Sequence, residues 1–293
     1  MEKNKNDLIM VNGSLFCGDK AFISVKNSGF LYGDGVFETI KVHHGKIFLF
    51  DEHIARLYQS LSFFKYKVTG LEDFKNEIRN NIEELIKVKN LSLKDAFVKI
   101  IVCRGEYKNR MDYKNSRESS IIIFADEFNQ YPVTSYSDGV DVVISSIRRV
   151  SYQNVLYRHK LLSYFENIFS RNEAISTGAT ESLFISSDDF ILEGSVSNIF
   201  LTKKETVFTP SLEFNILAGI TREKVLKICA ADKIEAKEGK LKLGDLGKAD
   251  EIFITNSLIG IMPIKKFGDF ILKKTVPGSV TKRISLLYQK EFD

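Results

Sequence analysis

One stretch of the chain lacks hydrophobic periodicity and separates two well-patterned halves. This stretch, EFNQYPVTSYSDG at residues 127–139, also holds one of only four prolines among 293 residues. Segments of this composition commonly connect domains. The sequence therefore predicts an N-terminal domain at 1–127, a connection at 128–138 and a C-terminal domain at 139–293.

Short apolar runs of strand length and helical segments are intermingled in both halves. LIMVNGSLFCG holds two such runs around Asn12-Gly13, which is the strongest short hairpin signal. Residues 71–88 and 221–232 carry apolar residues at helical spacing. Neither G-x-G-x-x-G nor G-x-x-x-x-G-K-[ST] occurs. The pattern predicts an α+β protein rather than a regular ladder of strands and crossover helices.

Charge and cysteine usage exclude several classes of partner. The net charge is only +4, from 42 basic and 38 acidic residues that are dispersed along the chain, so no nucleic-acid partner is expected. No apolar run has membrane length, and the polar N-terminus lacks a signal-peptide core. The three cysteines lie far apart and the four histidines show no paired spacing, so no metal site is expected. These features predict a cytoplasmic protein that acts on a small molecule, with neither a nucleic-acid nor a membrane partner.

Lys160 begins the segment KLLSYFENIFSRNEA, whose periodicity predicts a helix over 160–176. Tyr164 would then lie one turn further on the same face. The helix dipole and the apolar neighbours would lower the pKa of the Lys160 amine and suit it to imine formation. The same pattern also fits an ordinary solvated lysine at the start of a helix.

Glu193 follows an apolar run and precedes Gly194 in FILEGSVSNIF, at a predicted strand end. A carboxylate in such a place needs a cation or a hydrogen-bond donor, unless it simply faces water in a turn. Ser195, Ser197 and Asn198 fit either ligand binding or a tight turn.

Two further segments place polar groups where an anion could bind. In NILAGITREKV, Gly219, Ile220 and Thr221 open a helix, so their free N–H groups and the hydroxyl suit a phosphate. An ordinary threonine cap explains the same residues. In FITNSLIG, a strand breaks at Asn256 and Ser257, which line a cleft or begin a turn.

Near the N-terminus, GFLYGDGVFETIKV places Gly33-Asp34-Gly35 before a strand that carries Phe37 and Thr39. Arg56 lies on the helix that follows. Taken alone, these residues fit a turn, a strand and a surface arginine.

Taken together and in this order, the segments resemble the fold-type IV pyridoxal-phosphate enzymes. These are the branched-chain and D-amino-acid aminotransferases and the 4-amino-4-deoxychorismate lyases, and the resemblance runs from about Leu8 to Ile264. It implies a two-domain α+β fold like that of D-amino-acid aminotransferase, with pyridoxal 5'-phosphate between the halves. It also implies a homodimer in which the partner subunit supplies part of the substrate pocket.

The resemblance implies a role for each matched residue. Lys160 forms the imine with the cofactor and moves the proton at the substrate carbon, and Glu193 keeps the pyridine nitrogen protonated. Tyr164 lies near the phenolic oxygen of the cofactor. The remaining cofactor contacts implied are Arg56, Ser197, Asn198, Gly219, Ile220, Thr221, Asn256 and Ser257.

Within the family, YGDGVFETI and TNSLIGIMPI are most similar to the aminodeoxychorismate lyases. Thr39 matches a threonine implicated in catalysis in those lyases, where the compared D-amino-acid transaminases have valine and the branched-chain enzymes have glycine. The favoured reaction converts 4-amino-4-deoxychorismate to 4-aminobenzoate and pyruvate, a step toward folate. Transamination of a branched-chain or D-amino acid with a 2-oxo acid is the alternative. A non-catalytic metabolite-binding protein is a remote alternative, and the presence of Lys160 disfavours it because binding alone needs no imine.

The substrate contacts are less constrained, because EYKNRMDY stands where the family often has a Gly-rich loop. Arg110 matches the substrate-carboxylate arginine only if one inserted residue is allowed, and Arg104 competes for that role. The substrate-contact residues predicted in this way are Tyr32, Phe37, Arg104, Arg110 and Leu258.

Overall fold

The computed structural model describes residues 7–108, 111–149, 154–268, 270–272 and 276–292. The chain divides into two compact units, the first formed by Met1–Asn129 with His159–Tyr164 and the second by Gln130–Arg158 with Phe165–Asp293. Lys160 therefore belongs to the first unit, whereas the sequence placed it in the C-terminal domain. None of the helices in the described residues is long and apolar enough to cross a membrane.

The first unit is built on one sheet, which has six strands within the described residues, in the order β2-β1-β6-β5-β3-β4. Its strands are β1 (Leu8–Val11), β2 (Ser14–Cys17), β3 (Gly35–His43), β4 (Lys46–Ile47), β5 (Asp95–Cys103) and β6 (Ser120–Glu127). Its helices are α1 (Ser28–Tyr32), α2 (Phe50–Phe63) and α3 (Leu71–Val88).

The two faces of this sheet differ because side chains alternate along each strand. On β3, Val36, Ile40 and Val42 join the buried core with residues of α2 and α3. On the opposite face, β3 carries Phe37 and Thr39. The antiparallel register pairs Gly35 with Cys103 and continues to His43 with Asp95. This register sets which β5 side chain lies beside each residue of that second face.

The second unit contains a nine-stranded sheet within the described residues, in the order β12-β11-β10-β13-β14-β7-β8-β9, with β15 paired to β14. Its strands are β7 (Val140–Arg149), β8 (Glu181–Ser186), β9 (Ile191–Gly194), β10 (Asn198–Lys203), β11 (Thr206–Pro210), β12 (Ala236–Gly239), β13 (Glu251–Asn256), β14 (Gly260–Phe267) and β15 (Phe270–Ile271). Its helices are α4 (Val133–Ser137), α5 (Phe165–Ser176), α6 (Ile220–Ala231), α7 (Leu243–Leu246) and α8 (Ser279–Gln289).

The α+β prediction is confirmed, since both units combine helices with a sheet, which is antiparallel in the first unit and mixed in the second. Aliphatic residues of the second sheet form its core, among them Leu183, Ile199 and Ile254. The strands β9 and β10 and the start of α6 bring the polar motifs of this unit together.

Candidate functional site

Lys160 lies in an extended segment that adds to the edge of β3. The N–H of Phe37 donates to the Lys160 carbonyl at 2.9 Å, and the N–H of Leu162 donates to the Gly35 carbonyl at 2.9 Å. Val36 and Leu161 form an antiparallel bridge between these bonds. The predicted helix at 160–176 is thus wrong over its first turn, because α5 begins only at Phe165. The backbone of residues 160–162 is used in strand pairing, so the helix-dipole argument for Lys160 does not apply.

Two glycines allow the lysine segment to approach β3 closely. Gly33 has φ +67°, and a Cβ there would lie 3.0 Å from the backbone N of Ser163. A Cβ at Gly35 would overlap the Leu162 side chain. The Gly-Asp-Gly turn is therefore explained by the room that the lysine segment needs.

The side chain of Lys160 is surrounded by aromatic rings on the second face of β3. Its Nζ lies 4.6 Å from the centroid of Phe37 and 5.6 Å from that of Tyr164. The Phe37 and Tyr164 rings meet edge to face, with 5.3 Å between centroids. Lys160 and Tyr164 are thus close together, as predicted. They are close because both pack against Phe37, and not because they lie on one turn of a helix.

A second lysine, Lys99, contacts the same aromatic ring as Lys160, and sequence reasoning missed it. Its Nζ is 4.7 Å from the centroid of the same Phe37 ring, and the strand register pairs it with Thr39. Burial lowers the pKa of the Lys99 amine. Lys99 belongs to no recognisable motif, so only the register of β3 against β5 could have placed it near Thr39 and Phe37.

Arg56 forms a buried ion pair in the first unit. Its Nε and Nη2 each donate to the Glu38 carboxylate at 2.7 Å, and His53 Nδ1 lies 2.8 Å from Glu38 Oε2. Burial alone would raise the pKa of Glu38, but the charge of Arg56 and the His53 hydrogen bond outweigh it and hold the pKa at about 2. Arg56 is therefore held rigidly, and its contact with a phosphate remains a prediction.

Arg104 is buried inside the first unit, with only 1% of its surface exposed. Its Nε donates to Asp34 Oδ2 at 2.8 Å. Its guanidinium lies between the rings of Tyr66 and Tyr113, at 4.1 and 3.7 Å from their centroids. This environment makes Arg104 a structural partner of the Gly-Asp-Gly turn, which disfavours the predicted contact with a substrate carboxylate. The competing candidate, Arg110, lies outside the described residues.

The other predicted substrate contacts occupy different environments. Tyr32 ends α1 and has half of its surface exposed. Leu258 follows β13, and its N–H donates to Asn256 Oδ1 at 2.9 Å. The N–H of Ile259 donates to the same oxygen at 2.9 Å, and Asn256 Nδ2 donates to the Val196 carbonyl at 3.1 Å. The side chain of Asn256 thus stabilises a turn that the half-buried Ser257 also occupies.

Glu193 lies at the end of β9, with 7% of its surface exposed. Its Oε1 accepts a hydrogen bond from Arg149 Nη1 at 2.7 Å, and its Oε2 accepts one from the Leu217 N–H at 3.0 Å. A buried carboxylate here was expected to need a cation or a hydrogen-bond donor, and Glu193 has one of each. Arg149 was missed because it lies 44 residues away in the sequence.

The turn after Glu193 is organised by another carboxylate, that of Glu181. The hydroxyls of Ser195 and Ser197 donate to it, the latter at 2.7 Å, and the Ser195 and Val196 N–H groups donate at 3.1 and 3.3 Å. Glu181 is 1% exposed. The sequence left open whether the serine hydroxyls bind a ligand or stabilise a tight turn. For Ser197, the hydrogen bond to Glu181 favours the tight turn.

Gly219 precedes α6, with Ile220 and Thr221 in the first turn. A Cβ at Gly219 would overlap Asn198 Oδ1 and lie 3.1 Å from Asn198 Cγ. Asn198 Nδ2 in turn donates to the Leu217 carbonyl at 3.0 Å. The first N–H groups of a helix have no partner within it. This helix start therefore fits an anion, with the buried Thr221 side chain beside it.

His43, His44 and Asp95 form a group of potential metal ligands among the described residues. His43 Nδ1 is hydrogen-bonded to Asp95 Oδ1 at 2.6 Å, and the Asp95 charge also acts on Lys41. A neighbouring ammonium group opposes a divalent cation, so we assign no metal to this group.

Each unit by itself holds side chains that suit pyridoxal phosphate chemically. In the first unit, the Lys160 amine is a group that can bind an aldehyde, and Arg56 is a cation. In the second unit, the Glu193 carboxylate is a group that can accept a pyridine N–H, and the start of α6 is suited to a phosphate. The start of α6, which has no side-chain cap and has the buried Thr221 beside it, is the structural observation that most favours this fit.

The fold is that of the fold-type IV pyridoxal-phosphate enzymes. The branched-chain aminotransferase of Escherichia coli superposes with a TM-score of 0.88 at 25% identity, over 97% of this chain and 94% of that one. The 4-amino-4-deoxychorismate lyase of Pseudomonas aeruginosa superposes with a TM-score of 0.84 at 25% identity, over 98% and 100% of the two chains.

The chain belongs to the amino-transferase class IV family, whose family model matches residues 35–267. It is 32% identical to a putative branched-chain-amino-acid aminotransferase of Methanocaldococcus jannaschii, over 94% of this chain and 93% of that one. It is 30% identical to the aminodeoxychorismate lyase of Bacillus subtilis, over 97% and 94% of the two chains. The predicted family, enzymatic nature and pyridoxal-phosphate cofactor are thereby confirmed, while the relatives divide between two reactions.

Proposed function

We propose that this enzyme is a 4-amino-4-deoxychorismate lyase, which forms 4-aminobenzoate and pyruvate in a step toward folate. One observation carries the proposal: Thr39 and Lys99 are paired across β3 and β5, and the Nζ of Lys99 and Lys160 lie against the same Phe37 ring. A hydroxyl and a second ammonium near the aromatic ring that the reactive amine contacts suit a substrate that bears carboxylates and loses an enolpyruvyl group.

Each residue then has a defined chemical role. Lys160 Nζ holds the cofactor, is released by the substrate amine, and takes the proton from the carbon that bears that amine. The cofactor, when bound, supplies an aldehyde for the substrate amine and a protonated ring that accepts an electron pair. Glu193 accepts the hydrogen bond of the pyridine N–H, and Arg56 and Thr221 bind the phosphate. The Thr39 hydroxyl relays the proton that Lys160 has taken to the departing enolpyruvyl group, so that pyruvate leaves and the hydroxyl is restored.

Lys99 supplies the argument for a substrate with an additional carboxylate. Among the described residues no carboxylate lies within ion-pair distance of it, and its pKa is lowered by burial alone. A hydrogen bond between charged groups contributes about 1.5–3 kcal/mol. Binding of a substrate carboxylate by Lys99 is therefore expected to lower KM about 10- to 100-fold.

The test is to incubate the holoenzyme with 4-amino-4-deoxychorismate and to measure 4-aminobenzoate and pyruvate. Both products should form in equal amounts, and Lys160→Ala should abolish them. Lys99→Met should raise KM by the factor above, whereas Lys41→Met should leave it within about twofold. Lys41 is a matched control, because it is also half-buried on this face but has Asp95 nearby. Failure of the wild-type enzyme to form 4-aminobenzoate would overturn the proposal.

Transamination of a branched-chain or D-amino acid is the second candidate, and the 32% identity to the Methanocaldococcus jannaschii protein favours it. The same lysine and carboxylate would serve without elimination. Incubation with amino acids of both configurations and 2-oxoglutarate or pyruvate decides the matter, since new glutamate or alanine identifies a transaminase. The homodimer and the cytoplasmic location remain predictions, and light scattering of the purified holoenzyme checks the former.

A further inference from the structure

Arg149 is a buried cation that the roles given above leave unused. It ends β7, has 3% of its surface exposed, and donates from Nη1 to Glu193 Oε1 at 2.7 Å. Its guanidinium carbon lies 4.1 Å from the Tyr157 ring centroid and 3.9 Å from that of Phe184. A second carboxylate, Glu166, lies with Oε2 at 3.5 Å from its Nε. Arg149 is thus held by two rings and two carboxylates.

This environment fixes the plane of the guanidinium. Two aromatic rings packed against a guanidinium favour its charged form and restrict rotation of the side chain. The N–H of Arg149 therefore points at Glu193 whether or not a ligand is bound. The Leu217 N–H holds the other carboxylate oxygen, so donors from two segments fix the orientation of the carboxylate. Each oxygen still has a second lone pair that can accept another hydrogen bond.

The guanidinium also affects where a shared proton resides. A carboxylate that is paired with a cation binds a proton less readily than an isolated buried carboxylate. When a pyridine N–H donates to Glu193, the proton can lie on the nitrogen or move to the carboxylate. A neighbouring Arg149 favours the nitrogen, because it stabilises the ionised carboxylate.

We propose that Arg149 is a positioning residue that keeps Glu193 ionised and oriented, so that the cofactor nitrogen retains its proton. The proposal rests on the role given to Glu193 under the proposed function. It extends that role to a residue that does not touch the cofactor. Without Arg149, the proton would shift toward Glu193 and the ring would accept electrons less readily.

The test uses the holoenzyme loaded with pyridoxal phosphate that is 15N-labelled at the ring nitrogen. The 15N chemical shift reports directly whether this nitrogen is protonated, and cofactor affinity is measured alongside it. Wild type should give a pyridinium shift at neutral pH. Arg149→Met should move the signal toward neutral pyridine and weaken cofactor binding at least tenfold, and Arg149→Lys should restore the shift at least partly.

The matched control is Arg148→Met. Arg148 is the adjacent residue of β7, is 41% exposed on its side chain and pairs with Asp189 at 3.0 Å. Its replacement should leave both the 15N shift and the affinity unchanged. An equal change in this control would overturn the proposal, as would a wild-type shift in Arg149→Met.

Glu193→Gln separates this proposal from the one on which it rests. If Glu193→Gln changes the 15N shift and Arg149→Met does not, the role of Glu193 stands and that of Arg149 is refuted. If neither variant changes it, Glu193 does not face the ring nitrogen and both roles fail. If Arg149→Met does not fold, the shift in Arg149→Lys and in Phe184→Leu, which removes one ring of the sandwich, decides the outcome.

Discussion

Replacement of Gly219 by alanine provides a sharp test of the helix start, because the chain contains a matched control. Gly219 and Gly70 both precede a helix, with φ −66° and −57°, and neither has a side-chain cap. A Cβ at Gly70 would meet nothing within 4 Å, whereas one at Gly219 would overlap Asn198 Oδ1. The two substitutions therefore change the same backbone position in different surroundings.

The expected magnitudes follow from this difference. At Gly70, a small loss of capping preference is offset by a less flexible unfolded chain, so the free energy of unfolding should change by about 0.5 kcal/mol or less. At Gly219, the Asn198 side chain must move, although it is 5% exposed and bonded to the Leu217 carbonyl. Loss of that bond costs about 1–3 kcal/mol and overpacking about 1–3 kcal/mol. We therefore expect a loss of about 2–6 kcal/mol.

The assay is urea unfolding of the holoenzyme followed by circular dichroism, with cofactor affinity measured in parallel. Gly219→Ala should lose both stability and affinity, since the N–H groups of α6 move with Asn198. Adding Asn198→Ala should relieve the overlap. The double variant should therefore lose at least about 1 kcal/mol less stability than the sum of the losses in the two single variants. Equal effects of Gly219→Ala and Gly70→Ala, or strict additivity, would refute the packing argument.

Two further predictions concern the buried ion pairs of the first unit. The pKa of Glu38 falls from 4.5 to about 2 on folding. Its contribution of roughly 3 kcal/mol to the free energy of unfolding is therefore complete above pH 4.5 and is lost as the pH falls toward 2. Between pH 6 and pH 4, urea unfolding should show wild type losing about 1 kcal/mol more than Glu38→Gln, and equal losses in the two proteins would contradict this. Asp34→Asn leaves Arg104 buried without its counter-charge and should cost about 3–5 kcal/mol in urea unfolding, whereas replacement of the partly exposed Asp112 by asparagine should cost under about 1 kcal/mol.

Local motifs were sufficient to predict several elements of the site. The helix expected at 221–232 is observed as α6 at Ile220–Ala231, because a glycine followed by Thr221 and an apolar repeat carries its own start signal. Glu193 was expected at a strand end with a cation or a hydrogen-bond donor, and it lies near the end of β9 with both kinds of partner. In these cases, the residues that determine the local structure are neighbours in the sequence.

The remaining features depend on residues that are distant in the sequence. Leu161 and Leu162 continue the apolar repeat of a helix, but strand pairing with β3 overrides that tendency. Arg149 and Lys99 carry no recognisable motif, and their importance comes from the rings and carboxylates that the tertiary fold places around them. Likewise, Arg104 looks like a ligand-binding arginine until its burial against Asp34 is known.

The strand that Lys160 adds to β3 has a consequence for synthesis of the chain. Residues 160–162 leave the ribosome roughly 125 residues after Gly35, a delay on the order of ten seconds. During that time this part of β3 presents an unpaired edge, because β4 covers only Val42 and His43. Such edges promote pairing between chains. A released chain that ends before Lys160 should therefore aggregate more readily than one that ends just after Tyr164, which can cover the edge.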